Sequence, residues 1–169
     1  MGKILGRASK PYTRVIWRGT PFDRRTESAL EWVERKYVGV APKKRKPLVF
    51  YQGSYSTGAS PNSNGTHDGG GAVDVNVSGL THKQKMALVK WFRKGGWAAW
   101  LRPYMSDTWP EHIHAVLRGH RTASPGAKDQ VVSYDRHRDG LAGDNYDSTW
   151  RPSKSRRWSH RRNKPVEGK

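Results

Sequence analysis

The stretch that restricts the fold most is Gly69-Gly70-Gly71-Ala72-Val73-Asp74-Val75-Asn76-Val77, a glycine run opening into an alternating segment. Alternation of apolar and polar residues over 72–77 predicts a half-buried strand, because successive side chains point to opposite faces. It commits the chain to a sheet with one covered face. Asp74 lies inside this strand, and a buried carboxylate is costly unless it is paired or bound to a metal. His67 and Asp74 are seven residues apart, so no single helix or strand presents both alike. A chain that turns through the glycines can, since glycine permits φ > 0 and close backbone approach.

A second segment, Glu111-His112-Ile113-His114, follows Pro110. Residues 112–117 read as a strand with His112, His114 and Val116 on one face. Glu111 falls on the opposite face of a regular strand; an irregular start, which Pro110 favours, would bring it round to the histidines. His67, Asp74 and His114 together offer two nitrogens and one oxygen, a donor set of catalytic zinc, which keeps a fourth position for water. Zinc lowers the pKa of that water to about 7. Glu111 would then serve as general base and His112 as a donor that stabilises an oxyanion. The glycine run is not a phosphate cradle, because it lacks a Lys-Ser/Thr ending and leads into a strand rather than a helix. His82, His120, His137 and His160 read as structural or exposed.

The remaining chain supplies the scaffold. Val15-Ile16-Trp17 predicts a short strand. Asp23 reads as the N-cap of a helix over 24–37, with Ala29, Leu30, Val33 and Tyr37 at helical spacing and an end near Gly39. The basic loop 41–47 reads as a solvated connection. Leu48–Tyr51, between Pro47 and Gly53, reads as a buried strand. The loop 53–71 is rich in Gly, Ser, Asn and Thr and is assigned a functional role because it leads into His67. Thr81-His82-Lys83-Gln84 has capping-box form and predicts a helix over 82–94 that ends at Gly95-Gly96. A strand over 97–101, a loop over 103–110 and a weak helix within 125–138 complete the series. The order predicts an α+β fold, a small antiparallel sheet flanked by helices. Residues 1–140 form the domain, and 141–169 a basic C-terminal tail lying over it through Tyr146 and Trp150 before fraying.

Charge and composition bear on partners. Thirty-two Lys and Arg against 14 Asp and Glu give a net charge of +18, which seeks polyanions. Nucleic acid, anionic lipid and anionic cell-wall polymers all fit, and charge alone does not choose. The absence of cysteine excludes disulfides, thiolate zinc sites and cysteine nucleophiles. No apolar run approaches the ~20 residues that span a bilayer, and the N-terminus has no apolar core of a secretory signal.

The pattern His67-x-x-Gly70-x-Ala72-x-Asp74, followed by Glu111-x-x-His114, resembles the zinc D-alanyl-D-alanine carboxypeptidases, a group that includes the L-alanyl-D-glutamate endopeptidases used by phages as endolysins. The resemblance covers roughly residues 45–120, and His112-x-His114 matches the wider superfamily. It implies a hedgehog/D-Ala-D-Ala-peptidase-like domain, Zn2+ on His67, Asp74 and His114, Glu111 as base, and hydrolysis of a peptide bond in peptidoglycan stem peptides. Two departures stand out. Gly65 occupies a position where such proteins often carry Ser or Arg, and Tyr51–Tyr55 lacks the Arg that polarises the scissile carbonyl. Gln52 or Tyr55 would substitute, or His112 would carry that role alone; Trp109 would line the cleft, and Tyr104 and Asp107 would contact substrate. The partners implied are peptidoglycan and anionic cell-wall polymers, with nucleic acid bound only non-specifically, no membrane insertion and a monomeric chain. Synthesis in a bacterial host cytoplasm and action at the cell wall follow, as a free lysin or carried on a virion. The competing reading is a basic nucleic-acid-binding protein, gripping phosphate and stacking Trp and Tyr on bases. It leaves the His/Asp/Glu constellation unexplained.

Overall fold

Alternation along three strands decides what each face of the central sheet carries. The computed structural model describes residues 10–38, 47–58 and 65–168. The elements are β1 (Arg14–Trp17), β2 (Thr20–Asp23), α1 (Arg24–Val38), β3 (Phe50–Gln52), β4 (Ala72–Asn76), α2 (His82–Lys94), β5 (Trp97–Arg102), β6 (His112–Leu117), α3 (Pro125–Asp135), β7 (Arg156–Ser159) and β8 (Lys164–Glu167). The central sheet has the order β3-β4-β6-β5 and is antiparallel throughout; β1-β2 and β7-β8 are separate hairpins. This is an α+β architecture.

The helices begin and end where their sequences dictate. Asp23 Oδ1 accepts the Thr26 N–H at 2.9 Å and so caps α1. Thr81 and Gln84 form the full capping box of α2, which stops at Gly95 before Gly96 at φ +93°. Ser124 caps α3, with Pro125 in its first turn.

On one face of the sheet, Val73, Val75, Ile113, Ala115, Leu117, Trp97 and Ala99 pack against Leu30 and Val33 of α1 and Leu88 and Phe92 of α2. Each fully buried Val, Leu, Ile or Phe among them contributes about 1.5–3 kcal/mol. The other face carries Ala72, Ala98 and Val116 at one end, where small side chains seat α3 through Ala127 and Val131. Past that end the same face turns polar, and the candidate site begins there.

Three expectations are corrected. Leu48–Tyr51 is not a buried strand: β3 lies at the sheet edge with an irregularity between Phe50 and Gln52, leaving Val49 53% and Tyr51 45% exposed while Leu48 is buried. Val15–Trp17 is not a lone strand: β2 pairs with β1 as a hairpin, and Pro21 is tolerated there because the strand is at an edge. Residues 141–168 do not fray. Trp158 of β7 is 1% exposed within the main core. The buried Arg93 guanidinium donates to the carbonyls of Ala99, Thr149 and Trp150 and pairs with Asp147 at 2.7 Å. Of the two residues expected to hold this segment down, Tyr146 is exposed, while Trp150, itself partly exposed, lies against α2 with Lys90 Nζ 4.9 Å from its ring. The basic loop 41–46 lies outside the described residues. Among the described residues, no helix is long and apolar enough to cross a membrane.

Candidate metal centre

Strand register assembles the site in rows. Asp74, His114 and Trp100 are cross-strand partners, and Asn76, His112 and Arg102 form the next row. Gln52 on the edge strand pairs with Asp74. His67 arrives from the loop ahead of β4. A Cβ at Gly69 would meet Thr122 O at 2.3 Å and Ser124 N at 2.5 Å, and Gly71 sits at φ +85°, so the approach requires glycine at both positions. Ser56 N–H donates to His67 O at 2.9 Å, and Tyr55 N–H to Gly69 O at 3.0 Å, which clamps the loop against residues 53–56.

The imidazoles of His67 and His114 converge on the Asp74 carboxylate. His67 Nε2 lies 3.3 Å from Asp74 Oδ2, and His114 Nδ1 lies 2.7 Å from Asp74 Oδ1. One ligand atom from each of the three residues falls within 4.8 Å of the others. Zinc bonds of ~2.0–2.1 Å at tetrahedral angles set donors roughly 3.3 Å apart, so the donor set and its spacing fit such an ion. His67 Nδ1–H donates to Gly53 O at 2.8 Å, which turns Nε2 to Asp74. His112 is oriented in the same way: Nδ1–H donates to Pro110 O at 2.6 Å, and Nε2 lies 3.8 Å from Asp74 Oδ1.

Charge is distributed unevenly over these groups. Burial alone would push the Asp74 carboxyl up, but the charge and hydrogen bond of His114 and the hydrogen bond of His67 hold it well below the usual range. Burial works against a charged His67, yet its contact with Asp74 leaves the ring above its ordinary value. Burial outweighs Asp74 at His114, whose value is depressed.

These groups border a cavity of about 370 Å³ that Gln52, Trp109, Arg102 and Asp107 also line. Trp109 stands edge-on to the His112 ring at 5.3 Å. Three of the sequence-derived candidates lie elsewhere. Glu111 does not line the cavity; its carboxylate is paired with Lys85 of α2. The strand is regular from His112 onward, so Glu111 keeps the opposite side. Tyr55 is also absent from the lining: its hydroxyl donates to Asp23 Oδ2 at 2.8 Å, and burial pushes its pKa up to about 12. Tyr104 is exposed and donates to Asp107 at 2.8 Å.

Three contributors had not been singled out for this site. The Trp100 ring lies 18° from parallel to His114 at 6.2 Å. Arg102 is 3% exposed; Nη1 donates to Asp139 O at 2.6 Å, and Nη2 has no partner among the described residues. Burial lowers its pKa to about 10 against the charges of Asp139 and Asp74. Gln130 meets His114 from α3. Period-two alternation carried through 97–102 places Trp100 and Arg102 on the histidine face, so that signal was in the sequence. Gln130 had none, because the apolar pattern of α3 is weak.

No family model matches this chain, and neither the curated proteins nor the solved structures searched contain a match.

Proposed function

We propose that this chain is a zinc metallopeptidase that hydrolyses a peptide bond in bacterial peptidoglycan stem peptides, a phage endolysin with a hedgehog/D-Ala-D-Ala-peptidase-like fold. The observation that carries the proposal is the meeting of His67, His114 and Asp74 at a cavity, with the second nitrogen of each imidazole held by an oxygen acceptor. Two imidazoles and one carboxylate suit zinc; magnesium and calcium favour all-oxygen sites. His67 Nε2, Asp74 and His114 Nδ1 would hold the zinc, which would supply a Lewis acid and a water of pKa about 7.

The chain's own groups divide the remaining work. Asp74 stays ionised at neutral pH and brings its charge to the ion. Glu111 is assigned the role of general base; to fill it, the side chain would have to leave its partly buried pair with Lys85 and turn from the opposite side of the strand toward the histidines. His112 donates to an oxyanion through Nε2 only as an imidazolium, because its Nδ1–H is committed to Pro110 O. Gln52 and Trp109 wall the cavity, and Arg102 supplies a cation beside Asp74. The net charge of +18 concentrates the protein on anionic wall polymers and gives it non-specific affinity for nucleic acid. Made in the host cytoplasm, it acts as a monomer at the cell wall.

The test is incubation with purified peptidoglycan, with and without a chelator, scoring new amino termini. Release is expected to vanish with chelator and return with zinc. Glu111→Gln is expected to lower it by about 10²–10⁴-fold, the usual worth of a general base. Release that ignores the chelator would remove the metal from the account. No hydrolysis together with steeply salt-dependent DNA binding would replace the proposal with the nucleic-acid reading.

A further inference from the structure

We infer that Gln130 is a positioning residue: it fixes His114 in the Nε2–H tautomer and so selects Nδ1 as the nitrogen turned to the metal. The inference rests on the metal reading of this site.

The hydrogen bonds determine which end of the amide faces the ring. Gln130 Nε2 lies 3.3 Å from Gly140 O, which can only accept. The amide nitrogen therefore belongs at Gly140, and Gln130 Oε1 is the atom 2.7 Å from His114 Nε2. An amide oxygen only accepts, so His114 Nε2 carries the proton. A neutral imidazole has one N–H, and its lone pair is then at Nδ1, 2.7 Å from Asp74 Oδ1. A lone pair facing a carboxylate oxygen at that distance is repulsive unless a cation or proton shares the space. The arrangement is therefore made for a positive species between Nδ1 and Asp74.

The support behind Gln130 is continuous. Three successive carbonyls each accept one side-chain donor: Arg138 O from Trp100 Nε1 at 3.0 Å, Asp139 O from Arg102 Nη1 at 2.6 Å, and Gly140 O from Gln130. Two of those donors belong to residues that touch His114, Trp100 by stacking and Gln130 by hydrogen bonding. The turn at 138–140 thus holds the back of the His114 ring. His67 is fixed in the opposite sense, with Nδ1–H on the Gly53 backbone carbonyl. One ligand is oriented by backbone, which substitution leaves in place. The other is oriented by a side chain, which substitution removes.

The experiment is zinc affinity by competition with a chromogenic chelator for the wild type, Gln130→Met and Gln130→Glu. It is paired with ¹⁵N NMR of the histidine rings of the zinc-loaded wild type. Gln130→Met is expected to bind zinc about 10–100-fold more weakly, the usual cost of removing a group that orients a ligand. Gln130→Glu, whose carboxylate accepts the same N–H, is expected to bind as tightly as the wild type or tighter. His114 is expected as the Nε2–H tautomer. Wild-type affinity in Gln130→Met, equal loss in both variants, or a His114 Nδ1–H tautomer would overturn the inference alone. A wild type that binds no zinc would overturn the metal reading with it. Should Gln130→Met not fold, Gln130→Glu and the wild-type spectrum still decide.

Discussion

The molecule buries two Asp–His groups, and they differ in what surrounds the carboxylate. Asp23 Oδ1 accepts the Thr26 N–H at 2.9 Å and the Thr26 hydroxyl at 3.0 Å, and Oδ2 accepts the Tyr55 hydroxyl at 2.8 Å. His120 Nε2 lies 3.1 Å from Oδ2, and both side chains are fully buried. Every partner in that cluster is a proton donor or can be one. Among the described residues, Asp74 meets only imidazole nitrogens, and it faces a cavity. Gly53 O, Pro110 O and Gln130 Oε1 hold the other end of the His67, His112 and His114 rings, so a proton or a cation must lie between Asp74 and the nitrogens that face it. The same two residue types therefore form a closed structural tie in one place and a group that could hold a metal ion in the other. The tie lies against the glycine run: a Cβ at Gly70 would lie 2.5 Å from the His120 ring and the Tyr55 hydroxyl.

Exchanging one loss for the other tests that contrast most strongly. Asp74→Ala is expected to abolish hydrolysis and to leave the melting temperature within a few degrees of wild type. Asp23→Ala strips a buried, hydrogen-bonded pair of one partner and is expected to cost about 3–5 kcal/mol. That is roughly 10 °C in Tm for a chain of this size, with hydrolysis retained by the molecules that stay folded. Thermal melts beside peptidoglycan assays measure both; matching losses in the two variants would erase the distinction.

A smaller effect comes from acid. Burial would raise Asp23, but its hydrogen bond and charge contact with His120 and its bonds from Thr26 and Tyr55 leave it below 3.8. Asp147 is likewise opposed by burial and lowered by Thr149 and Arg93. A depressed carboxylate contributes stability that is fully present above its unfolded value and lost as pH falls through its folded value. Stability is therefore expected to hold down to about pH 4, near the carboxylate reference value, and to decline below it. Asp23→Asn should shrink that acid decline, measured as Tm against pH. An unchanged acid limb would mean that Asp23 does not carry it.

The legible parts of the molecule were those where a local rule and the tertiary fold agree. The capping box at Thr81, the cap at Asp23 and the alternation over 72–77 and 112–117 are short-range patterns, and all reappear in the fold. That same alternation put Asp74 and His114 on one face, where the glycine-bearing loop brings His67 to them, while it kept Glu111 on the Lys85 side. Tyr55 was misjudged because its backbone sits at φ +58°, turning the side chain toward Asp23. Trp158 sits in a basic run with no apolar periodicity, so nothing nearby announces that it fills the core beside α1 and α2. Gln130 acquires its role only when α3 crosses the sheet.

The most direct test of the central claim is a calorimetric titration of zinc into metal-free wild type, Asp74→Ala and Asp23→Ala. The account predicts one zinc per chain in the wild type and in folded Asp23→Ala, and none in Asp74→Ala. No zinc bound by the wild type, or wild-type binding by Asp74→Ala, would contradict it.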